Sequence, residues 1–156
     1  MGVTLNDDEI WDFLSEEKVG ILTTLRADGM PVALPMWFVL VDRRVFIQTH
    51  ANTKKVARIR RDPRASFLVE TGERWAELKA VHLSGRVGVE TDEGVVANVA
   101  READRKYAEL RTTPERLPDA TKRHYAPELV TLRLDHDERI ISWDNKKLRL
   151  RAPEVR

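Results

Sequence analysis

The chain has 156 residues, no cysteine, and 27 Lys plus Arg against 26 Asp plus Glu, a net charge of +1. That length suits one domain whose core needs neither disulfide nor metal, and the missing thiols exclude cysteine nucleophiles, Cys-ligated zinc and iron–sulfur clusters. The balanced charge makes no global field toward nucleic acid or an anionic membrane, no run approaches the roughly 18 apolar residues of a membrane span, and the first twelve residues lack a basic, then apolar, leader pattern, so a soluble cytoplasmic protein is expected.

Residues 6–14 open on Asn6, carry acids in the first turn and place Ile10, Phe13 and Leu14 at helical spacing, which predicts a short amphipathic helix. Residues 20–25 read as a strand, and Asp28-Gly29 as the turn of a hairpin. The next run, residues 31–41, is apolar on both alternating faces: Val32, Leu34, Met36, Phe38 and Leu40 on one, Ala33, Pro35, Trp37, Val39 and Val41 on the other. One wet face would make one of these sets polar. The second face is therefore expected to be covered by a ligand, another subunit or another part of the chain. Pro31 and Pro35 remove ladder donors and point to an edge or bulged strand.

Asp42-Arg43 is the turn into a third strand over 44–49. A helix over 54–61 buries Val56 and Ile59, with Ala57 beside them, and stops at Asp62-Pro63. With Asn52 or Thr53 as its N-cap, Lys54 and Lys55 fall in the first turn, where free amides and the helix dipole repel cations. An anion there would resolve the conflict, because a helix start offers phosphate both N–H groups and a favourable dipole. Solvated lysines that tolerate a mild repulsion are the alternative. From residue 54 to 64 there are six cations and one acid, so the positive charge is local.

Residues 65–70 and 78–90 are further strands. The second has Val81, Leu83, Val87 and Val89 facing in, His82, Ser84, Arg86 and Glu90 facing out, and a bulge or tight bend at Gly85 and Gly88. Thr91 caps a helix over 92–111 with Val95, Val96, Val99, Ala103, Tyr107 and Leu110 on its buried stripe. Residues 112–127 form a loop with room for one helical turn, and strands over 129–134 and 139–143 are joined by the acidic turn Asp135-His136-Asp137-Glu138. No repeat or second domain is visible, so residues 1–156 form a single domain. Short strands joined mostly by turns predict a mainly β fold, a small antiparallel barrel with peripheral helices. The acidic turn lacks the spacing of a metal site, no serine sits in an elbow motif, and His50, His82 and His124 stand alone. No catalytic side chain and no metal is expected.

Five segments, in this order and spacing, resemble a known family over nearly the whole chain: residues 20–25, Asp28-Gly29, Pro35-Met36-Trp37-Phe38, residues 49–63 ending Arg60-Arg61-Asp62-Pro63, and Ser142-Trp143-Asp144-Asn145-Lys146-Lys147-Leu148. The family is that of the split β-barrel flavin and deazaflavin oxidoreductases related to pyridoxamine 5'-phosphate oxidase. The last segment is most similar to an actinobacterial branch that uses the deazaflavin coenzyme F420 in place of FMN.

The resemblance implies a homodimer with two cofactor sites at the subunit interface, which would cover the doubly apolar strand. It places the coenzyme ring along Met36 and Trp37, then Gln48 and Thr49, and the phosphate at the helix start with Thr53, Lys54, Lys55 and Arg58, the last a position where many relatives carry Asn. Trp143 and Lys147 fall on the partner-facing wall. The implied reaction passes hydride from the coenzyme to an electron-poor double bond or imine of a small organic substrate, while the protein binds, orients and excludes water. Substrate choice falls to the loops over 71–77 and 112–127. F420 is favoured and FMN is the alternative, since six cations exceed the need of one phosphate of about two charges. The vitamin-pathway oxidase itself is not expected: its substrate-phosphate arginine–histidine signature is missing, and residues 149–153 are only a faint echo. The competing function is a non-catalytic carrier or sensor of flavin, deazaflavin or haem. Nucleic-acid binding is disfavoured because no aromatic residue interleaves with the cations.

Overall fold

The computed structural model describes residues 2–148, so the echo at 149–153 lies outside the described residues. Helix α1 (Asp7–Glu16) is followed by β1 (Val19–Leu25), β2 (Pro31–Trp37), β3 (Val39–Val41), β4 (Arg44–His50), α2 (Lys54–Arg61), β5 (Arg64–Thr71), β6 (Lys79–Val89), α3 (Glu93–Tyr107), α4 (Asp119–His124), β7 (Leu129–His136) and β8 (Ile141–Asp144). Single 3-10 turns occur at Trp75–Glu77, Pro114–Arg116 and Asn145–Lys147.

Local chemistry explains the starts and turns. The Asn6 side chain accepts from the Glu9 N–H at 2.9 Å while the Glu9 carboxylate accepts from the Asn6 N–H at 2.7 Å, a reciprocal cap for α1. Asp7 and Asp8 in the first turn suit the helix dipole and pair with Arg43. Gly29 takes φ +81 in the β1–β2 turn, where a side chain would be strained. Asp42 and Arg43 adopt φ +50 and +56, the left-handed pair that a tight hairpin demands, without any glycine.

The strands pair antiparallel in the order β2-β1-β5-β6-β7-β4-β3, with β8 beside β6. The end strands β2 and β3 are consecutive in the chain and separated only by Phe38, so the sheet curls until its ends meet there. The single strand expected over 31–41 is thus split. Its cause lies far away in sequence: the Tyr107 hydroxyl accepts from the Phe38 N–H at 2.9 Å and donates to the Phe38 carbonyl at 2.6 Å, replacing the ladder bonds.

Other expectations are corrected. The last strand is shifted to Ile141–Asp144 from the expected 139–143, and it lies on β6, which is long enough to pair with β7 over residues 85–89 and with β8 over 79–82, so β7 and β8 share one of its edges. The α3 cap is Asp92, whose carboxylate accepts from the Val95 N–H, because Glu90 already takes the Thr91 and Asp92 amides. α3 ends at Tyr107 instead of residue 111, leaving Leu110 exposed; Ala57 is exposed too.

The barrel interior is filled by Leu22, Ile47, Phe67, Val81, Leu83 and Leu132, with Phe13 and Leu14 of α1 and Ile59 of α2 packing onto the same cluster. Each such burial is worth about 1.5–3 kcal/mol. A smaller cluster, Val39, Phe46, Val99, Ala103 and Tyr107, fastens α3 to the outside of β3 and β4. Among the described residues no helix is long and apolar enough to cross a membrane.

Candidate functional site

The start of α2 carries an unresolved electrostatic demand. Thr53 has the extended backbone of an N-cap, yet its side chain makes no cap bond, and its Oγ1 is buried without a partner. A buried hydroxyl left unpaired is costly and calls for an explanation. The first turn holds no acid. Lys54 is exposed, whereas Lys55 is half-buried and its Nζ donates to Thr49 Oγ1 at 3.3 Å. Burial first, and the neighbouring charge of Arg58 second, hold the Lys55 amine below the usual lysine range. Arg58 Nε donates to Thr24 Oγ1 at 2.9 Å, and Thr24 is itself buried. Among the described residues no carboxylate pairs with Lys54, Lys55 or Arg58. One helix start therefore carries an acid-free first turn, two half-buried cations and an orphan hydroxyl, a combination suited to a phosphate.

On the outer side of β4 lies a cavity of about 650 Å³, walled by Trp37, Phe38, Phe46, Gln48 and His50 and closed by α3 and residues 111–129. Neighbours on a strand point to opposite faces. Gln48 and His50 accordingly line the cavity while Thr49 turns to Lys55. One strand thus joins the apolar cavity to the cationic helix start.

Trp37 is stacked on Tyr107, with ring centroids 4.4 Å apart and planes inclined by 7°. It stays 40% exposed, which leaves indole surface open to the cavity. The Tyr107 hydroxyl also bonds the Lys18 carbonyl at 2.8 Å, and burial pushes the phenol up to about 12, opposed by the hydrogen bond that the Phe38 N–H donates to it. Lys106 stands 4.0 Å over the Phe38 ring, its amine pushed down to about 8 mainly by burial and then by the charge of Lys18. Removing only the hydroxyl, Tyr107→Phe, is expected to cost about 2–3 kcal/mol, because the buried Phe38 N–H loses its acceptor and the Phe38 and Lys18 carbonyls lose the one proton they share. A urea midpoint checks the loss, and altered tryptophan emission reports the loosened stack.

The residues named from sequence fall into three groups. Trp37 and Gln48 line the cavity; Thr49, Thr53, Lys55 and Arg58 surround the helix start, with Lys54 on its exposed rim. Met36 faces the barrel side and packs on the core. Trp143 lies on β8 opposite Ala80, and the Lys147 ammonium bonds Glu9 at 2.6 Å and the Thr4 carbonyl at 3.0 Å, so neither reaches the cavity within one chain. Lys147 first, then the Asn6 amide, hold the Glu9 carboxyl below its usual range. Sequence reasoning missed Tyr107, Arg111 and Tyr125 as cavity walls. For Tyr107 a signal existed, since a tyrosine on a buried stripe needs a partner for its hydroxyl.

Residues 7–136 match the family model described as pyridoxamine 5'-phosphate oxidase. An F420H(2)-dependent biliverdin reductase of Mycobacterium tuberculosis (strain CDC 1551 / Oshkosh) is 32% identical over 117 residues, which are 73% of this chain and 77% of that protein. The crystal structure of the conserved hypothetical protein Rv2991 from Mycobacterium tuberculosis matches with a TM-score of 0.80 at 28% identity, covering 99% of this chain and 94% of that one. HutZ, the heme storage protein of Vibrio cholerae, shares the fold with a TM-score of 0.67 at 18% identity, over 92% of this chain and 96% of its own.

Proposed function

The chain belongs to the pyridoxamine 5'-phosphate oxidase family, and from that membership we propose that it is a reductase using coenzyme F420, with FMN as the alternative, bound between two copies of the chain. The carrying observation is the α2 start, which holds the buried, unpartnered Thr53 hydroxyl together with Lys55 and Arg58 and has no acid in its first turn. These residues fit a phosphate, Thr53 and Lys55 closest, Arg58 and Lys54 beside them. When bound, the coenzyme supplies the hydride. The protein's own part is to lay Trp37 and Gln48 along the ring, keep water out with Trp37, Phe38 and Phe46, and hold the substrate in the same cavity. The deazaflavin is favoured by the F420H(2)-dependent relative, and biliverdin is the first substrate to try. Fluorescence titration with F420 and FMN tests the reading: tighter binding of F420 is the expected result, and binding of neither coenzyme defeats it.

The dimer part rests on the outer face of the barrel. Pro35, Ile21, Leu68, His82 and Ile141 stand directly opposite one another across five strands, a nearly continuous apolar row with Ile141 46% exposed. Ala33, Pro35 and Trp37 of β2 are also uncovered within one chain. Packing a second copy there would bury this row and bring Trp143 and Lys147 near the partner's coenzyme. Ile141→Glu is expected to shift the protein from dimer to monomer in analytical ultracentrifugation, and a monomeric wild type counts against the arrangement.

The same cavity supports a second reading. Among the described residues its walls hold one histidine and no carboxylate, a sparse set of acid–base groups that suits holding flavin, deazaflavin or haem without turnover. Tight coenzyme binding with no acceptor ever reduced assigns the carrier role.

A further inference from the structure

His50 ends β4 and lines the cavity beside Gln48. Its Nδ1 lies 2.8 Å from the Pro127 carbonyl oxygen. A carbonyl only accepts, so Nδ1 carries a proton and the neutral ring keeps its lone pair on Nε2. Among the described residues nothing bonds Nε2. The ring itself is held, packing 4.9 Å from Tyr125 at a tilt of 39°. A fixed imidazole with one free nitrogen is thus built into the wall of an apolar cavity.

The other polar walls are otherwise engaged. The Tyr107 hydroxyl is committed to Phe38 and Lys18, and its phenol is pushed up to about 12. Arg111 pairs with Asp104 at 2.7 Å and stays charged. Gln48 and Thr112 do not titrate. Around the imidazole, the titratable and charged groups are Tyr107 and Arg111 at the end of α3, Tyr125 with His124 against it at the end of α4, and Lys55 of α2, which bonds Thr49 on the opposite face of β4.

We propose that His50 donates the proton that completes reduction of a conjugated C=C or C=N substrate in this cavity, a role that rests on the reductase reading above. Hydride taken from the reduced coenzyme, which is left oxidised, makes a C–H bond at one end of the double bond. The π pair moves to the other end, which takes the proton from Nε2 of the imidazolium. That N–H bond breaks, and the ring is left as the Nδ1–H tautomer that the Pro127 carbonyl selects. Water then restores the proton. A positioned general acid contributes on the order of 10²–10⁴ in rate.

Two measurements on the full chain test this. Without coenzyme, ¹⁵N spectra of the imidazoles, with His50→Asn to assign the signal, should show neutral His50 protonated at Nδ1 and bare at Nε2. A proton on Nε2 instead overturns the proposal. Next, reduced F420 is mixed with biliverdin, menadione or an enone as probe acceptors. His50→Asn retains an amide N–H to face Pro127, so it should bind F420 within about twofold of wild type, transfer hydride about 100-fold more slowly at pH 7, and lose the wild-type decline in rate toward alkaline pH. Wild-type rates in the variant overturn the role of His50 alone. A wild type that binds F420 yet reduces none of the three acceptors overturns the reductase reading and this role with it.

Discussion

Lys55→Ala is expected to weaken F420 binding by about tenfold to a hundredfold, since a charge-assisted hydrogen bond is worth roughly 1.5–3 kcal/mol. Lys55 is singled out over Lys54 by burial. Its ammonium is partly withdrawn from water, held among the described residues by the Thr49 hydroxyl alone at 3.3 Å and crowded by Arg58. The exposed Lys54 ammonium is screened by solvent, so Lys54→Ala should change affinity little.

The pH dependence follows from the direction of the shift. The Lys55 amine in the folded protein sits below the usual lysine range, so its charge carries a desolvation cost that is relieved as pH rises through the folded value. Bound phosphate offsets that cost while the charge is present. Coenzyme affinity should therefore be greatest around neutral pH and fall on the alkaline side, and Lys55→Ala should remove most of that fall. Fluorescence titration across pH reads both effects, and an unchanged dissociation constant in the variant takes Lys55 out of the site.

Gly85→Ala is expected to destabilise the protein by about 3 kcal/mol, at the upper end of ordinary overpacking. A Cβ at Gly85 would lie 2.1 Å from the Asp135 carbonyl oxygen and 2.8 Å from the His136 Cα. Both are backbone atoms of β7, held in the ladder that pairs Gly85 with His136 and Arg86 with Asp135. No side chain can rotate aside. The strands must separate, and Arg133, which joins Asp135 to Glu90, shifts with them. Gly88 on the same strand has nothing within 4 Å of its Cβ position, so Gly88→Ala is the matched control with a small effect. Urea midpoints for the pair decide the matter, and equal midpoints would show that β7 yields more easily than its ladder implies.

What could be read from the chain alone was what short-range chemistry decides. Asn6 and the acids after it announced the start of α1, and Asp62-Pro63 the end of α2, whose bounds agree with expectation at Lys54 and Arg61. Alternation marked the buried side of β6 at Val81, Leu83 and Val87. The α3 cap was misplaced by one residue for a local reason, the Glu90 carboxylate, but the larger departures involve partners distant in sequence. Nothing in the apolar run 31–41 marks Phe38 as a break, because the break is imposed by Tyr107. The position of β8 depends on spare length in β6, which composition does not show. Lys147 gave no hint of Glu9, from which it is separated by 138 residues. The two halves of the site differed in the same way: charge at a helix start is visible locally, whereas the cavity exists only once α3 and residues 111–129 fold back over β4.

The hydroxyl that seals the barrel reaches Phe38 across 69 residues and Lys18 across 89. Neighbouring hairpins such as β1 with β2 and β5 with β6 join nearby segments and can form early, but the last stitch needs a long loop to close first. During synthesis β1 to β4 leave the ribosome well before Tyr107 exists. Even when that residue arrives the nascent sheet keeps an open lip, because β7, the strand that joins β6 to β4, is made later still.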